Sequence, residues 1–188
     1  MKKFLTLRNV IICSAALIGL IVFFLSFAVK AQASGVQAGH KMLLIFDNSI
    51  WGAKEIHAYQ DGQVVQSLPG KGGIAALPLI GFILLLVGVL GGALVAFLVN
   101  KPYAKWIVLG CGALAVLGGV FQFFGGEACY SAYAAYAGTT IEEAKAWVKS
   151  FDAKVGPGAL GIVLAILSIL VGGGFVASQF VPEKSLVK

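Results

Sequence analysis

Charge is what this chain has least of: only 12% of its 188 residues are Asp, Glu, Lys or Arg, where soluble globular domains carry roughly a quarter. Four stretches, residues 10–29, 74–98, 106–124 and 158–180, contain no Asp, Glu, Lys, Arg or His at all. Ion and proton paths through a membrane are usually marked by ionisable side chains, so a transport path inside one copy of the chain has no visible support. Gln122 and Gln179, toward the ends of two stretches, are the bulkiest polar groups there. Cysteine is scarce too, with three residues and no CxxC pair, which argues against a dithiol oxidase passing electrons to quinone. Cys13 and Cys111 fall inside apolar stretches; Cys129 lies outside them, a candidate for an intermolecular disulfide or a free thiol. Histidine is limited to His40 and His57. With Asp47, Glu55 and Glu127 they offer metal-ligand chemistry, but no ligand spacing supports a site, and solvated loop histidines are the expectation. There is no P-loop and no Ser/His/Asp constellation, and Glu142-Glu143 suits a helix start better than acid/base work. The sequence therefore predicts a non-enzyme with no catalytic residue, no cofactor and no metal ligand.

What is present is apolar length. The mean hydropathy is +0.93, and each of the four stretches is long enough to cross a hydrocarbon core of about 30 Å at about 1.5 Å per helical residue. The expected fold is an all-α membrane protein: a four-transmembrane-helix bundle, residues 1–188 forming one membrane domain, with outer loops at 30–73 and 125–157. A small β-hairpin or sheet is expected in the first loop and an amphipathic helix in the second. Lys2, Lys3, an apolar run and Ala31-Gln32-Ala33 also resemble a secretory signal. The apolar core from Val10 to Val29 is longer than such signals use, so it reads as a retained signal-anchor helix.

Orientation rests on basic residues. Residues 1–9, 99–105 and 181–188 hold Lys2, Lys3, Arg8, Lys101, Lys105, Lys184 and Lys188 against Glu183 alone. The two long loops carry as many basic residues, all of them lysine, balanced by seven acids and diluted over three times as many residues. Three basic residues precede the first helix, which usually dominates. Both termini are expected in the cytoplasm, where the net charge of +6 would face anionic headgroups rather than nucleic acid. Abundant lysine and short tails point to a bacterial inner membrane.

In lipid, close helix packing is signalled by small residues. Gly161, Ala165, Ser168 and Gly172 fall on one face of the fourth span; Cys111, Ala115 and Gly119 form a series in the third. Gly88 and Gly92, with Gly81 before them, mark the second, and Ala15 and Gly19 the first. These faces are expected to hold the four helices together, with docking of a second membrane protein as the sharper reading.

In the first loop, Asp61-Gly62 is a type I′ turn signal between Glu55–Gln60 and Gln63–Leu68. Pairing across it sets Tyr59 beside Val64 and Ala58 beside Val65. Met42–Phe46 reads as a third strand, followed by a turn at Asp47-Asn48-Ser49, and Gly70, Gly72 and Gly73 as a flexible approach to span two. In the second loop, Ala128–Ala137 reads as a helix stopped by Gly138. A capping box follows, Thr139 or Thr140 with Glu142 or Glu143, opening a helix whose apolar face holds Ile141, Ala144, Trp147, Val148 and Phe151. Trp51, Tyr59, Tyr130, Tyr133, Tyr136, Trp147 and Phe151 form a possible partner surface.

The outline resembles the claudin-type tetraspan architecture: four spans, cytoplasmic ends, a long first outer loop with strands and a third helix able to run beyond the membrane. The resemblance covers the whole chain and is topological. Claudins carry a Trp followed by paired cysteines in the first loop; here Trp51-Gly52 stands with no cysteine, and tetraspanin cysteine motifs are missing. The resemblance implies an outline, no site residue and no junctional role. The function expected from the residues is that of an interaction or accessory subunit in the membrane. Its partners would be lipid and another membrane protein or further copies of itself. An oligomeric channel or transporter component is the alternative.

Overall fold

The computed structural model describes residues 6–37, 39–47, 50–51, 55–69, 74–98, 102–150 and 152–182. The protein is mostly helical, with one five-stranded sheet. The four longest helical segments are each long and apolar enough to cross a membrane. They are α1 (Leu7–Leu25), which passes into a 3₁₀ turn at Ser26–Ala28, α2 (Ala76–Leu98), α3 (Ala104–Gln122) and, after two shorter helices, α6 (Ala159–Ser178). From Ala104 the chain stays helical to Ala137, through a 3₁₀ turn at Phe123–Gly126 and α4 (Glu127–Ala137). Only 28–39% of each apolar window is buried, so Leu17, Phe24, Leu94 and Leu170 stand more than half exposed. Such surfaces require an apolar solvent, and four of them point to a multi-pass membrane protein.

The chain forms two compact units, one comprising residues 1–24, 81–120 and 164–188, the other residues 25–80 and 121–163. In the first unit, glycines set the helix spacing. A Cβ on Gly172 would lie 2.6 Å from the Gly112 carbonyl oxygen and 2.7 Å from Val116 N. One on Gly88 would lie 2.5 Å from Cys111 O, and one on Gly119 2.8 Å from Ala165 O. Ala115, Ala165 and Ser168 are fully buried, the Ser168 hydroxyl donating to Leu164 O at 2.8 Å. Thr6 caps α1 by accepting the Asn9 N–H on its Oγ1 at 3.2 Å, which starts that helix earlier than its apolar run does. At the same end Arg8 Nη2 donates to Gln179 Oε1 at 2.9 Å, and the Lys105 ammonium sits 5.1 Å from the centre of the Phe180 ring.

The second unit holds the sheet, in the order β4-β3-β2-β1-β5 with antiparallel neighbours throughout. Its strands are β1 (Ala31–Gln37), β2 (His40–Phe46), β3 (Glu55–Gln60), β4 (Gln63–Pro69) and β5 (Lys154–Pro157). Alternation selects one face: Ala31, Ala33, Phe46, Ile56 and Ala58 are buried. All of these but Ala58 form a core with Ala75 and with Ala128, Cys129 and Ala132 of α4, joined by Leu44, Leu68 and Val155. Asp61 and Gly62 both have positive φ, 50° and 87°, as the type I′ turn requires. Tyr59 pairs with Val64 as the turn predicts, but a bulge between Ala58 and Tyr59 places Ala58 opposite Gln66, correcting the expected Ala58–Val65 pair. Gly138 ends α4 in the left-handed region at φ 69°. The capping box is the Thr140/Glu143 one: Thr140 N donates to Glu143 Oε2 at 3.0 Å and Glu143 N to Thr140 Oγ1 at 3.2 Å. It opens α5 (Ile141–Ser150), which buries Ala144 and Val148 but leaves Ile141 46% exposed. Residues 48–49 and 70–73, read as a turn and a flexible approach, lie outside the described residues, as does Phe151.

Candidate functional site: an apolar cleft between sheet and helices

The second unit contains a cleft of about 90 Å³ between the buried face of the sheet and helices α4 and α5. Its floor is Ala33, Gly35, Met42, Leu44 and Phe46 of β1 and β2, and its far wall includes Cys129, Tyr133, Trp147 and Val148. These are alternate residues of each strand, one pleat phase, and Val36, in the other phase of β1, joins them at the rim. Small residues of β1 leave the space; Leu or Ile at Ala33 or Gly35 would fill it. The Tyr133 and Trp147 rings stack at 4.4 Å with planes 12° apart. That stack joins α4 to α5, and Trp147 remains 39% exposed. Among the described residues, no charged side chain lines the cleft.

The expected partner surface is thus divided. Tyr133 and Trp147 meet at the cleft, and Tyr136 lies partly exposed further along α4, as does Tyr130. Trp51 is turned to another use: its ring stacks on Phe27 at 4.6 Å and its indole N–H donates to Ser26 Oγ at 3.0 Å. Tyr59 stands on the opposite face of the sheet, because it is one residue out of phase with buried Ala58. Cys129 is 1% exposed, so an intermolecular disulfide there would need local unfolding.

The helix-packing residues also sort by neighbour. Gly88, Gly92, Cys111, Ala115, Gly119, Ala165, Ser168 and Gly172 lie in the first unit and face other helices of the same chain. Gly161 lies in the second unit, where an added Cβ would meet Pro157 and Val29 at 3.0 and 3.3 Å. The sequence reading missed Gly112 and Gly118, whose added Cβ atoms would strike Gly172 O and Gly81 O. Gly118 sits one residue from Gly119, so a single-face search skips it.

Of the five metal-capable residues weighed from the sequence, the sheet brings Asp47, Glu55 and His57 to one spot. His40 is engaged elsewhere, its Nδ1 2.7 Å from Asp61 Oδ2. The signal available was Glu55-x-His57, which puts both side chains on one face once β3 is assigned as a strand. Asp61 also accepts the Lys41 N–H at 2.9 Å; these bonds, His40 first, hold its carboxyl below the usual carboxylate range.

No protein-family model matches this chain, and no curated protein is similar to it.

Proposed function

We propose that this is a non-enzymatic membrane protein that works by binding another membrane protein as an interaction or accessory subunit. Its recognition site is the cleft beside Trp147. The carrying observation is the cleft itself: apolar, uncharged, and walled by a pre-stacked aromatic pair whose Trp stays reachable. At about 90 Å³ it is far smaller than the few hundred cubic ångströms of a typical small-molecule site. It suits one apolar side chain of a partner, the kind of anchor that dominates binding energy at interfaces. The small-residue helix faces add support from the other direction. Gly88, Gly119 and Gly172 are already occupied by backbone of the same chain, so these positions serve packing within the chain rather than docking. Under this reading the sheet and α4–α5 face the cell exterior and both termini face the cytoplasm of a bacterial inner membrane, following the density of basic residues.

The test places a photo-crosslinking residue at Val36, a cleft residue 61% exposed, in the full chain in native membranes. One discrete protein adduct is expected, greatly weakened by Trp147→Ala. A clean monomer in native mass measurement with no adduct at Val36 sinks the proposal. Solute or ion flux through liposomes holding only this protein would favour the channel or transporter reading instead.

A further inference from the structure

The outward face of the sheet carries a cluster unrelated to the cleft. Asp47 follows β2, and its N–H donates to Glu55 O at 3.0 Å, fixing where β3 begins. Glu55 and His57, two residues apart on β3, project to the same face. His57 Nε2 lies 3.3 Å from Glu55 Oε2 and 3.6 Å from Asp47 Oδ2. The other ring nitrogen, Nδ1, is 2.9 Å from Ser67 Oγ, on the residue directly opposite in β4. Lys30 Nζ holds the other Asp47 oxygen, Oδ1, at 2.9 Å.

We infer that Asp47, Glu55 and His57 form a binding site for a divalent transition metal of the zinc class. Three features carry this. First, the separations are too long for charge-assisted hydrogen bonds, which run about 2.7–2.9 Å. The 3.3 Å His57–Glu55 separation matches a coordination edge instead, since two ligands about 2.0–2.1 Å from one tetrahedral zinc are about 3.3–3.4 Å apart, and Asp47 Oδ2, at 3.6 Å from Nε2, must close in by about 0.2–0.3 Å to complete the set. Second, Ser67 Oγ is placed to accept an Nδ1–H; in that tautomer the Nε2 lone pair faces the two carboxylates, the arrangement that second-shell partners impose on metal-bound histidine. Third, an imidazole nitrogen with two carboxylates selects zinc-like ions over magnesium or calcium, which prefer all-oxygen shells. Lys30 occupies Oδ1 and so leaves Oδ2 for the metal. Three protein ligands leave a fourth position for water. The ion would clamp the end of β2 to the start of β3.

The test is zinc titration by calorimetry on tag-free, full-length, metal-stripped protein in detergent, followed by X-ray absorption of the loaded sample. One zinc per chain is expected, with a nitrogen/oxygen shell at about 2.0–2.1 Å and no sulfur at about 2.3 Å. His57→Ala should weaken binding at least about 100-fold, Ser67→Ala about 10-fold, and His40→Ala not at all. Should His57→Ala fail to fold, Glu55→Gln replaces it, since that side chain is 63% exposed. Absent saturable binding, a sulfur shell, or unchanged affinity in both His57→Ala and Glu55→Gln would each overturn the site.

Discussion

Two neighbouring glycines on α6 allow the helix packing to be tested with one chemical change. Alanine at Gly172 puts its Cβ 2.6 Å from Gly112 O and 2.7 Å from Val116 N, both backbone atoms of α3 that no rotamer change can move. Ordinary carbon contacts need about 3.5 Å, so α3 and α6 must part by roughly 0.9 Å. Overpacking of this kind costs about 1–3 kcal/mol. Gly112 faces the same seam from the other side, its own added Cβ falling 2.9 Å from Gly172 O. At Gly173 nothing lies within 4 Å of the added atom. There the substitution meets open space and gains helix propensity, up to about 1 kcal/mol.

The propensity gain is common to both substitutions, so the two single-methyl variants should differ by the overpacking cost, about 1–3 kcal/mol, although they are adjacent in sequence. Reversible unfolding in mixed micelles with rising SDS, followed by circular dichroism, reads the difference. Gly172→Ala is expected to unfold at clearly lower SDS, Gly173→Ala at the wild-type point or above it. Gly110→Ala, which also meets nothing within 4 Å, serves as a second neutral control on α3. Equal losses at Gly172 and Gly173, or a neutral Gly172→Ala, would refute the claim that backbone contact at the Gly112–Gly172 seam holds α3 to α6.

Thr140→Ala removes one half of the capping box and should cost about 0.5–2 kcal/mol, read as faster amide exchange across the first turn of α5 with β1–β4 unaffected. Asp61 links two turns through its bonds to His40 and Lys41, and its folded-state pKa lies below the ordinary 3.8. A depressed carboxyl stabilises fully above the unfolded value and loses that contribution as pH falls through the folded one. Exchange of the Lys41 amide should therefore accelerate below about pH 4, and Asp61→Asn should abolish that step; an unchanged profile would contradict it. Gly62→Val forces a β-branched residue to φ 87° and should destabilise the β3–β4 hairpin by about 1–3 kcal/mol, measured by local exchange in β4.

The helices were legible because their signals are local. Apolar length marks each span, and Thr140/Glu143 and Gly138 act within a few residues and each determines a boundary. The two strands that sequence reading did not find, β1 and β5, have no such signal. Ala31–Gln37 reads AQASGVQ, with one β-branched residue, and Lys154–Pro157 contains Gly and Pro. Propensity disfavours both. β1 is extended because β2 and β5 pair with it on either side, and β5 reaches it from more than a hundred residues along the chain. The same distinction explains Gly112 and Gly118. A small-xxx-small series finds one seam per helix, but α3 is approached closely on two sides, by α6 at Gly112 and by α2 at Gly118.

The polar cluster depends on a still finer non-local detail. Uninterrupted pairing from the Asp61-Gly62 turn would set Ala58 opposite Val65 and His57 opposite Gln66. The bulge between Ala58 and Tyr59 inserts one residue, so Ala58 meets Gln66 and His57 meets Ser67. That slip brings a hydroxyl within 2.9 Å of Nδ1, and it also sets Leu68 opposite Ile56, keeping an apolar pair on the core face. Without it, alternation along β4 would turn Leu68 away from the core while giving His57 an amide neighbour. One inserted residue thus serves both faces: Leu68 closes the core behind the sheet, and Ser67 orients the imidazole toward Asp47 and Glu55 in front of it. A bulge retained for packing alone would require Leu68 but not Ser67, so the Ser67→Ala titration separates the two uses of the same irregularity.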